Sequence, residues 1–362
     1  MARLLVSTSP HLKAKEDVRD IMWTVVMMLV PAGLMGTVVF GWHAAFITVL
    51  SVVCAVATEF ICQKVRRQPI TVGDGSAVLA GMLFAFVMPP NTPWYVAVVG
   101  SVSAIMIGKH FFGGLGCNIW NPALVGRAVA GAAYASAVFL AEWPIIKSTT
   151  SSTGNGFLAD RVAALQSSLG NMARNIDIDA VSQASPLKQI KDAAIAADPG
   201  MFDSVSDIVK DNGISYMNML TGHQNGCIGE TSAGLLLLGG IILIFLKIVD
   251  WRIPIFYLGS VALLSWMLPL GNMGWFTGDP LFSLLGGGLM IGAFFMATDM
   301  VTSPMTGTGK IVFALGCGLL TVLIRNFGGY PEGVCYSILL MNTAVPLIDR
   351  FFKPRLFGKV KK

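Results

Sequence analysis

Ile21-Met22-Trp23-Thr24-Val25-Val26-Met27-Met28-Leu29-Val30-Pro31-Ala32-Gly33-Leu34-Met35-Gly36-Thr37-Val38-Val39-Phe40-Gly41 contains no charged side chain. An α-helix crosses the hydrocarbon layer of a bilayer in about 20 residues, the length of this run. The pattern recurs outward from it. The 362-residue chain is 54% hydrophobic and 12% charged, with mean hydropathy +0.68. A soluble domain carries about 25% charged residues. This much apolar side chain cannot be hidden inside a water-soluble globule, so the expected solvent is lipid. The 40 glycines and 19 methionines agree, because small residues are common where membrane helices pack closely. The net charge of +5 is read as loop charge, not as affinity for nucleic acid, and no nucleic-acid partner is expected. No small-residue cleavage site follows the first run, which therefore reads as a span and not as a signal peptide.

Ten apolar runs fall at 21–41, 45–62, 74–90, 94–112, 121–141, 232–250, 253–271, 280–299, 310–327 and 333–349. Five precede a long polar interval and five follow it. Lys and Arg near the run ends set the orientation. One set of segments holds seventeen of them, from Arg3 to Lys362, and the opposite short loops hold none. Both termini are therefore expected in the cytoplasm and the interval 142–231 outside. The fold class is an all-α integral membrane protein. It divides into a first five-span half at 1–141, an extracytoplasmic loop at 142–231, a second half at 232–349 and a basic tail at 350–362. With five spans in each, the two halves run in opposite directions, the layout of an inverted repeat. Gly73-Asp74 and Gly278-Asp279, which open the third run of each half, support this.

The six cysteines and four histidines show no metal-ligand spacing, and no metal site is expected. Glu59, Arg127, Asp299 and Arg325 are ionisable residues within runs and so are functional candidates. All lie near run ends, where a side chain can reach water, so they also read as interface anchors. Asp299, followed by Thr302-Ser303-Pro304, is the first candidate for ion coupling.

Two stretches carry candidate chemistry. In the polar interval, Ser185-Pro186 reads as an N-cap and first helical position, with helix over Leu187–Ala197. A helix start suits a phosphate, because its N–H groups are free and its dipole end is positive. A phosphate on Ser185 would sit beside the N–H groups of Leu187 and Lys188 and near the Lys188 ammonium. Neither Ser182 nor Ser185 has a His or Asp partner nearby in sequence, so a hydrolase serine is not indicated. The second stretch is Gly116-Cys117-Asn118-Ile119-Trp120-Asn121-Pro122. Asn118 and Asn121 offer donors and acceptors to the edge of a flat heteroaromatic ring, and Trp120 offers a stacking face. The same residues also read as capping before Pro122.

Asp179-Ala180-Val181-Ser182-Gln183-Ala184-Ser185 resembles the motif read by flavin transferases, Asp-x-x-Ser/Thr-x-Ala-Thr/Ser, whose last hydroxyl receives FMN as a phosphoester. Family members usually have Thr and Gly where this chain has Ser185 and Gln183; serine offers the same hydroxyl. Further matches are Ser9-Pro10-His11, Asp74-Gly75-Ser76-Ala77, Phe112-Gly113-Gly114 through Ala123 and Gly229-Glu230-Thr231-Ser232. They continue with Trp251-Arg252-Ile253-Pro254, Ala297-Thr298-Asp299 through Pro304, and Asn342 through Asp349. Over nearly its whole length the chain resembles the family of the Rnf electron-transport D subunits and, more distantly, the B subunits of sodium-pumping NADH:quinone reductases.

The resemblance implies covalent FMN on Ser185, with Asp179, Ser182, Ala184 and Lys188 as the modification motif and phosphate surroundings. It also implies a possible riboflavin site at Asn118, Asn121 and Trp120. The implied partners are a second FMN-bearing subunit, iron–sulfur subunits of the complex, a flavin transferase for maturation, and membrane lipid. The implied location is the bacterial cytoplasmic membrane. The implied activity is that of an oxidoreductase and translocase complex moving electrons between ferredoxin and NAD, in which this chain is not catalytic alone. A quinone-reductase B subunit and a non-redox solute channel of inverted-repeat fold are the alternatives; the short start, with the first run near residue 21, argues against the former.

Overall fold

A computed structural model describes residues 17–139, 185–196, 204–222, 226–271, 273–328 and 332–353. Helices account for its regular structure, and among the described residues there is no strand.

In the first half α1 (Val18–Phe40) and α2 (Trp42–Val65) are joined at Gly41, whose φ of 84° needs a glycine. A short α3 (Ser76–Phe86) follows, then α4 (Trp94–Ile105), α5 (Pro122–Ala133) and α6 (Ala135–Phe139). The polar interval contributes α7 (Pro186–Ala196), α8 (Val205–Asp211) and α9 (Tyr216–Thr221). The second half comprises α10 (Ala233–Phe245), α11 (Arg252–Met267), α12 (Pro280–Leu285), α13 (Leu289–Ile291), α14 (Gly307–Phe327) and α15 (Val334–Phe351).

Four helices, α1, α2, α14 and α15, are long and apolar enough to cross a membrane. Their outer faces carry exposed Met27, Leu34, Val49, Val53, Leu319 and Leu347, as suits helices whose surroundings are lipid. The chain is a multi-pass membrane protein. The other runs make shorter or broken helices. The run at 74–90 is helical only over Ser76–Phe86, and the run at 280–299 breaks at Gly286–Gly288. A buried helix end must find partners for its backbone. The end of α3 finds them in the segment before α10: Gly229 N–H donates to the Phe86 carbonyl at 2.8 Å and Ile228 N–H to that of Met88 at 3.1 Å.

Packing follows the same order in the two halves. α2 lies against α3 and α4, and α4 against α5; α11 lies against α12 and α14, and α14 against α15. α1 meets α10, and α5 meets α15. Each interrupted segment lays a phenylalanine on a glycine. A Cβ on Gly100 would stand 2.1 Å from the Phe84 ring, and one on Gly240 2.3 Å from that of Phe294. Asp74 and Asp279 have matching jobs: the first accepts from the Ser76 N–H (2.8 Å), the second from the Phe282 N–H (3.1 Å).

Two helices run on into π-helical turns. Met106–His110 continues α4 and Gly292–Met296 continues α13. In each, an N–H reaches back five residues, Phe111 to Met106 (2.8 Å) and Ala297 to Gly292 (2.7 Å). Such turns re-aim side chains and are frequent at functional sites.

Candidate functional site

Both π turns border one cavity. Its apolar wall includes Ile21, Val25, Leu83, Leu243, Phe294 and Phe295, and its polar groups are Ser76, Lys109, Asn118, Asn121, Thr298 and Asp299. It holds about 800 Å³ of space not filled by atoms, its open mouth included. A mostly apolar wall with a few converging polar groups is the usual form of a site for a small organic ligand.

Lys109 is 3% exposed and Glu59 is not exposed at all. Lys109 Nζ donates to Glu59 Oε1 and to Ser76 Oγ, each at 2.6 Å, and Ser76 Oγ donates to Asp74 Oδ1 at 2.6 Å. Gln63 Nε2 donates to the same Glu59 oxygen at 3.0 Å. Asn121 caps α5 ahead of Pro122: its Oδ1 accepts from the Ala123 N–H (3.0 Å), and its Nδ2 donates across the halves to the Met296 carbonyl (3.2 Å). The capping reading is thus right for Asn121, and its amide is already engaged. Asn118 differs, because its Oδ1 is buried without a hydrogen-bond partner. Trp120 is outside the cavity wall; its Nε1 donates to Thr343 Oγ1 at 2.9 Å, and its ring meets Phe112 edge-on.

A second, smaller pocket holds Ser185, with Pro186, Leu187, Met219, Glu230, Thr231, Gly286, Gly287 and Glu332. Ser185 starts α7 as the sequence implies: its carbonyl accepts from the Gln189 N–H at 2.9 Å. The helix is held from below. Ile190 and Ala194 pack with Val205, Ile208 and Phe282, and Lys191 Nζ donates to the Arg325 carbonyl at 2.7 Å. Lys188 is half-buried on the first turn and does not line the pocket. Asp179, Ser182 and Ala184 lie outside the described residues.

Behind this pocket Arg127, 6% exposed, pairs with Glu332 Oε2. Cys227 N–H donates to Glu230 Oε2 at 3.1 Å, and the Cys227 thiol meets Glu332 Oε1 at 3.5 Å. Arg325, 5% exposed, donates to the carbonyls of Ser283 (2.7 Å) and Gly286 (3.0 Å), where α12 breaks. Burial raises the Cys227 thiol well above its ordinary range, so it stays protonated.

The interface-anchor reading fails for Glu59, Arg127 and Arg325, all of them buried. Asp299 is half-buried, its carboxylate accepting from Val301 N–H and Thr302 Oγ1, both at 3.3 Å. Glu332, Cys227 and Lys109 were not singled out from the sequence. Their signal was a charged or thiol group beside an otherwise apolar run.

The two pockets stand at opposite ends of α10. Thr231, just before it, lines the Ser185 pocket, while Leu243 and Val249 line the cavity. The 13 residues of α10 span about 20 Å at 1.5 Å each.

These features define a multi-pass helical membrane protein with a ligand-sized cavity at one end of α10 and a smaller pocket beside Ser185 at the other. The chain belongs to the NQR2, RnfD, RnfE family, whose profile matches residues 5–358. It is 45% identical over 353 residues to the D subunit of the proton-translocating ferredoxin:NAD(+) oxidoreductase complex of Clostridium ljungdahlii, covering 98% of this chain and 96% of that one. It is 42% identical over 364 residues to the D subunit of the Na(+)-translocating ferredoxin:NAD(+) oxidoreductase complex of Acetobacterium woodii, covering 99% and 97%. To the D subunit of the ion-translocating oxidoreductase complex of Stutzerimonas stutzeri it is 36% identical over 358 residues, covering 95% and 93%.

Proposed function

We propose that this chain is the D-type subunit of an Rnf ion-translocating ferredoxin:NAD oxidoreductase in the bacterial cytoplasmic membrane, with FMN esterified to Ser185. Its layout is ten spans in two inverted five-helix halves, with both termini cytoplasmic and 142–231 outside. The repeated packing order and the matching Asp74 and Asp279 contacts support the inverted repeat. The observation that carries the flavin assignment is Ser185 itself. In a chain of this family, its hydroxyl stands at the start of an eleven-residue helix and at the edge of a pocket.

The surroundings fit a phosphoester. The first N–H groups of a helix have no partner within it, so those of Leu187 and Lys188 would face the phosphate, with the Lys188 ammonium on the same turn. FMN supplies one- and two-electron transfer when bound, and the protein supplies position and charge. Pro186 and Leu187 fix the turn that carries the hydroxyl. Leu187 packs on Gly286 and Gly287, where a Cβ would come within 3.1 Å and 2.7 Å of its Cδ1.

The cavity at the other end suits a second, non-covalent flavin of the riboflavin type. Asn118 Oδ1, buried and unpartnered, would accept from the ring edge, and Phe294 and Phe295 would cover it. Trp120 has no part in this reading. Asp299 is the cavity's candidate for coupling to ion movement. Iron–sulfur subunits and a second FMN-bearing subunit complete the electron path, and a flavin transferase loads Ser185.

The test is ultraviolet fluorescence of the denatured polypeptide on a gel, from cells that contain the flavin transferase. A fluorescent band that disappears in Ser185→Ala is expected. A dark wild-type band would contradict the assignment and favour a solute channel.

A further inference from the structure

We propose that Glu230 and Glu332 share one proton and form a buried proton-exchange site behind the Ser185 pocket. Both carboxylates line that pocket. Arg127 is bonded to Glu332 alone. Glu230 has the Cys227 N–H on Oε2, while its Oε1 has neither a hydrogen-bond partner nor contact with solvent. Cys227, Glu230 and Glu332 each place one polar atom within 4.8 Å of the others.

The charges there do not balance. Two carboxylates face one guanidinium that both can feel at close range. Like charges this near, with so little water, cannot both persist, and one carboxylate takes a proton. Glu230 is the one without a cationic hydrogen-bond partner. Burial, and then the charge of Glu332, push Glu230 up to about 8, against the pull of Arg127. The remaining groups do not supply the missing charge. Arg325 is bonded to the Ser283 and Gly286 carbonyls, Lys191 on α7 is bonded to the Arg325 carbonyl, and the Cys227 thiol is neutral.

The use of this proton rests on the reading that Ser185 carries FMN. Reduction of a flavin by two electrons takes up at least one proton. Glu230 would hold the proton released from its O–H as the reduced ring takes one up, with Glu332 and Arg127 setting how readily it leaves; the flavin would supply the redox chemistry, its two electrons arriving one at a time from iron–sulfur carriers of the complex. The Glu230 carboxylate would regain a proton from water at the pocket mouth, and oxidation would reverse each transfer.

The experiment is an infrared pH titration of the purified full-length chain and, in parallel, of Ser185→Ala, which cannot carry the flavin. Both are expected to show the C=O stretch of a carboxylic acid at neutral pH, fading with a midpoint near 8. Glu230→Gln should remove that band, and Glu332→Gln should lower its midpoint by about a unit or more, because the like charge is gone. No such band between about pH 6 and 7 in either chain overturns the proposal, as does its survival in Glu230→Gln. Should Glu230→Gln fail to accumulate, an unmoved midpoint in Glu332→Gln overturns it equally. In the flavin-bearing chain the pH dependence of the flavin potential should bend near the same pH, and the bend should vanish in Glu230→Gln. A bend unchanged in that variant overturns the exchange with the cofactor. Absence of FMN from Ser185 would remove only the reading of Ser185, because the infrared results stand without it.

Discussion

At one end of α10 Lys109 is buried against Glu59, and at the other Arg127 is buried against Glu332. Lys109 also donates to Ser76 at the start of α3, and Arg127 lies in the helix that meets α15. The surroundings then diverge. Around Lys109 the second carboxylate, Asp74, is engaged by Ser76, and the cavity wall is mostly apolar, with Phe294, Phe295 and aliphatic side chains. The Arg127 pair has a surplus carboxylate, Glu230, in a smaller pocket with less apolar wall. One construction, a buried cation paired with a carboxylate, thus borders a mostly apolar cavity at one end and a smaller pocket lined by two carboxylates at the other.

The largest effects should come from removing the cations. Lys109→Met and Arg127→Met each leave a buried carboxylate unpaired and should cost about 3–5 kcal/mol, read by unfolding in detergent. Glu59→Gln should restore most of the loss in the first background and Glu332→Gln in the second. Rescue of one pair only would show that the two ends are not built alike.

Asn121→Ala comes next. It removes the cap of α5 and the tie to Met296, at about 0.5–2 kcal/mol for the cap, and should lower thermal stability more than Asn118→Ala does. Asn118→Ala should instead weaken retention of the non-covalent flavin, measured as flavin released on gel filtration. Trp120→Phe should change neither.

A pH dependence separates the two ends as well. Glu230 titrates near 8 in the folded chain and near its ordinary 4.5 when unfolded. The folded state therefore binds more protons between these values, and stability falls as pH rises through that window. Glu230→Gln should remove this fall, so its midpoint temperature relative to wild type should rise with pH, then level off above about pH 8.

Much of this was legible in the sequence. Lipid leaves a clear trace, because about twenty uncharged residues have few other uses, and α1, α2, α14 and α15 follow the runs closely. Ser185-Pro186 is a cap signal with a local cause, and α7 begins there. The breaks were not legible. Gly286-Gly287-Gly288 looks like the glycine any packed membrane helix tolerates; what breaks the helix is its ending against Arg325 and α7. The buried pairs were hidden for a related reason. Lys109 lies 50 residues from Glu59, and Arg127 lies 205 from Glu332, separations that no local pattern records. Drawn as continuous helices, the runs seemed to carry Glu59, Arg127 and Arg325 to the membrane surface. Because α3 and α12 stop short, those side chains end inside the protein.

The function proposed for the Ser185 end of α10 turns on whether Ser185 bears a flavin. Mass analysis of the purified chain, with peptide mapping across 177–188, decides it. This peptide should carry one FMN joined through a phosphoester, and its counterpart from Ser185→Ala should carry none. A peptide with the mass of its amino acids alone, from cells that contain the transferase, would contradict the assignment.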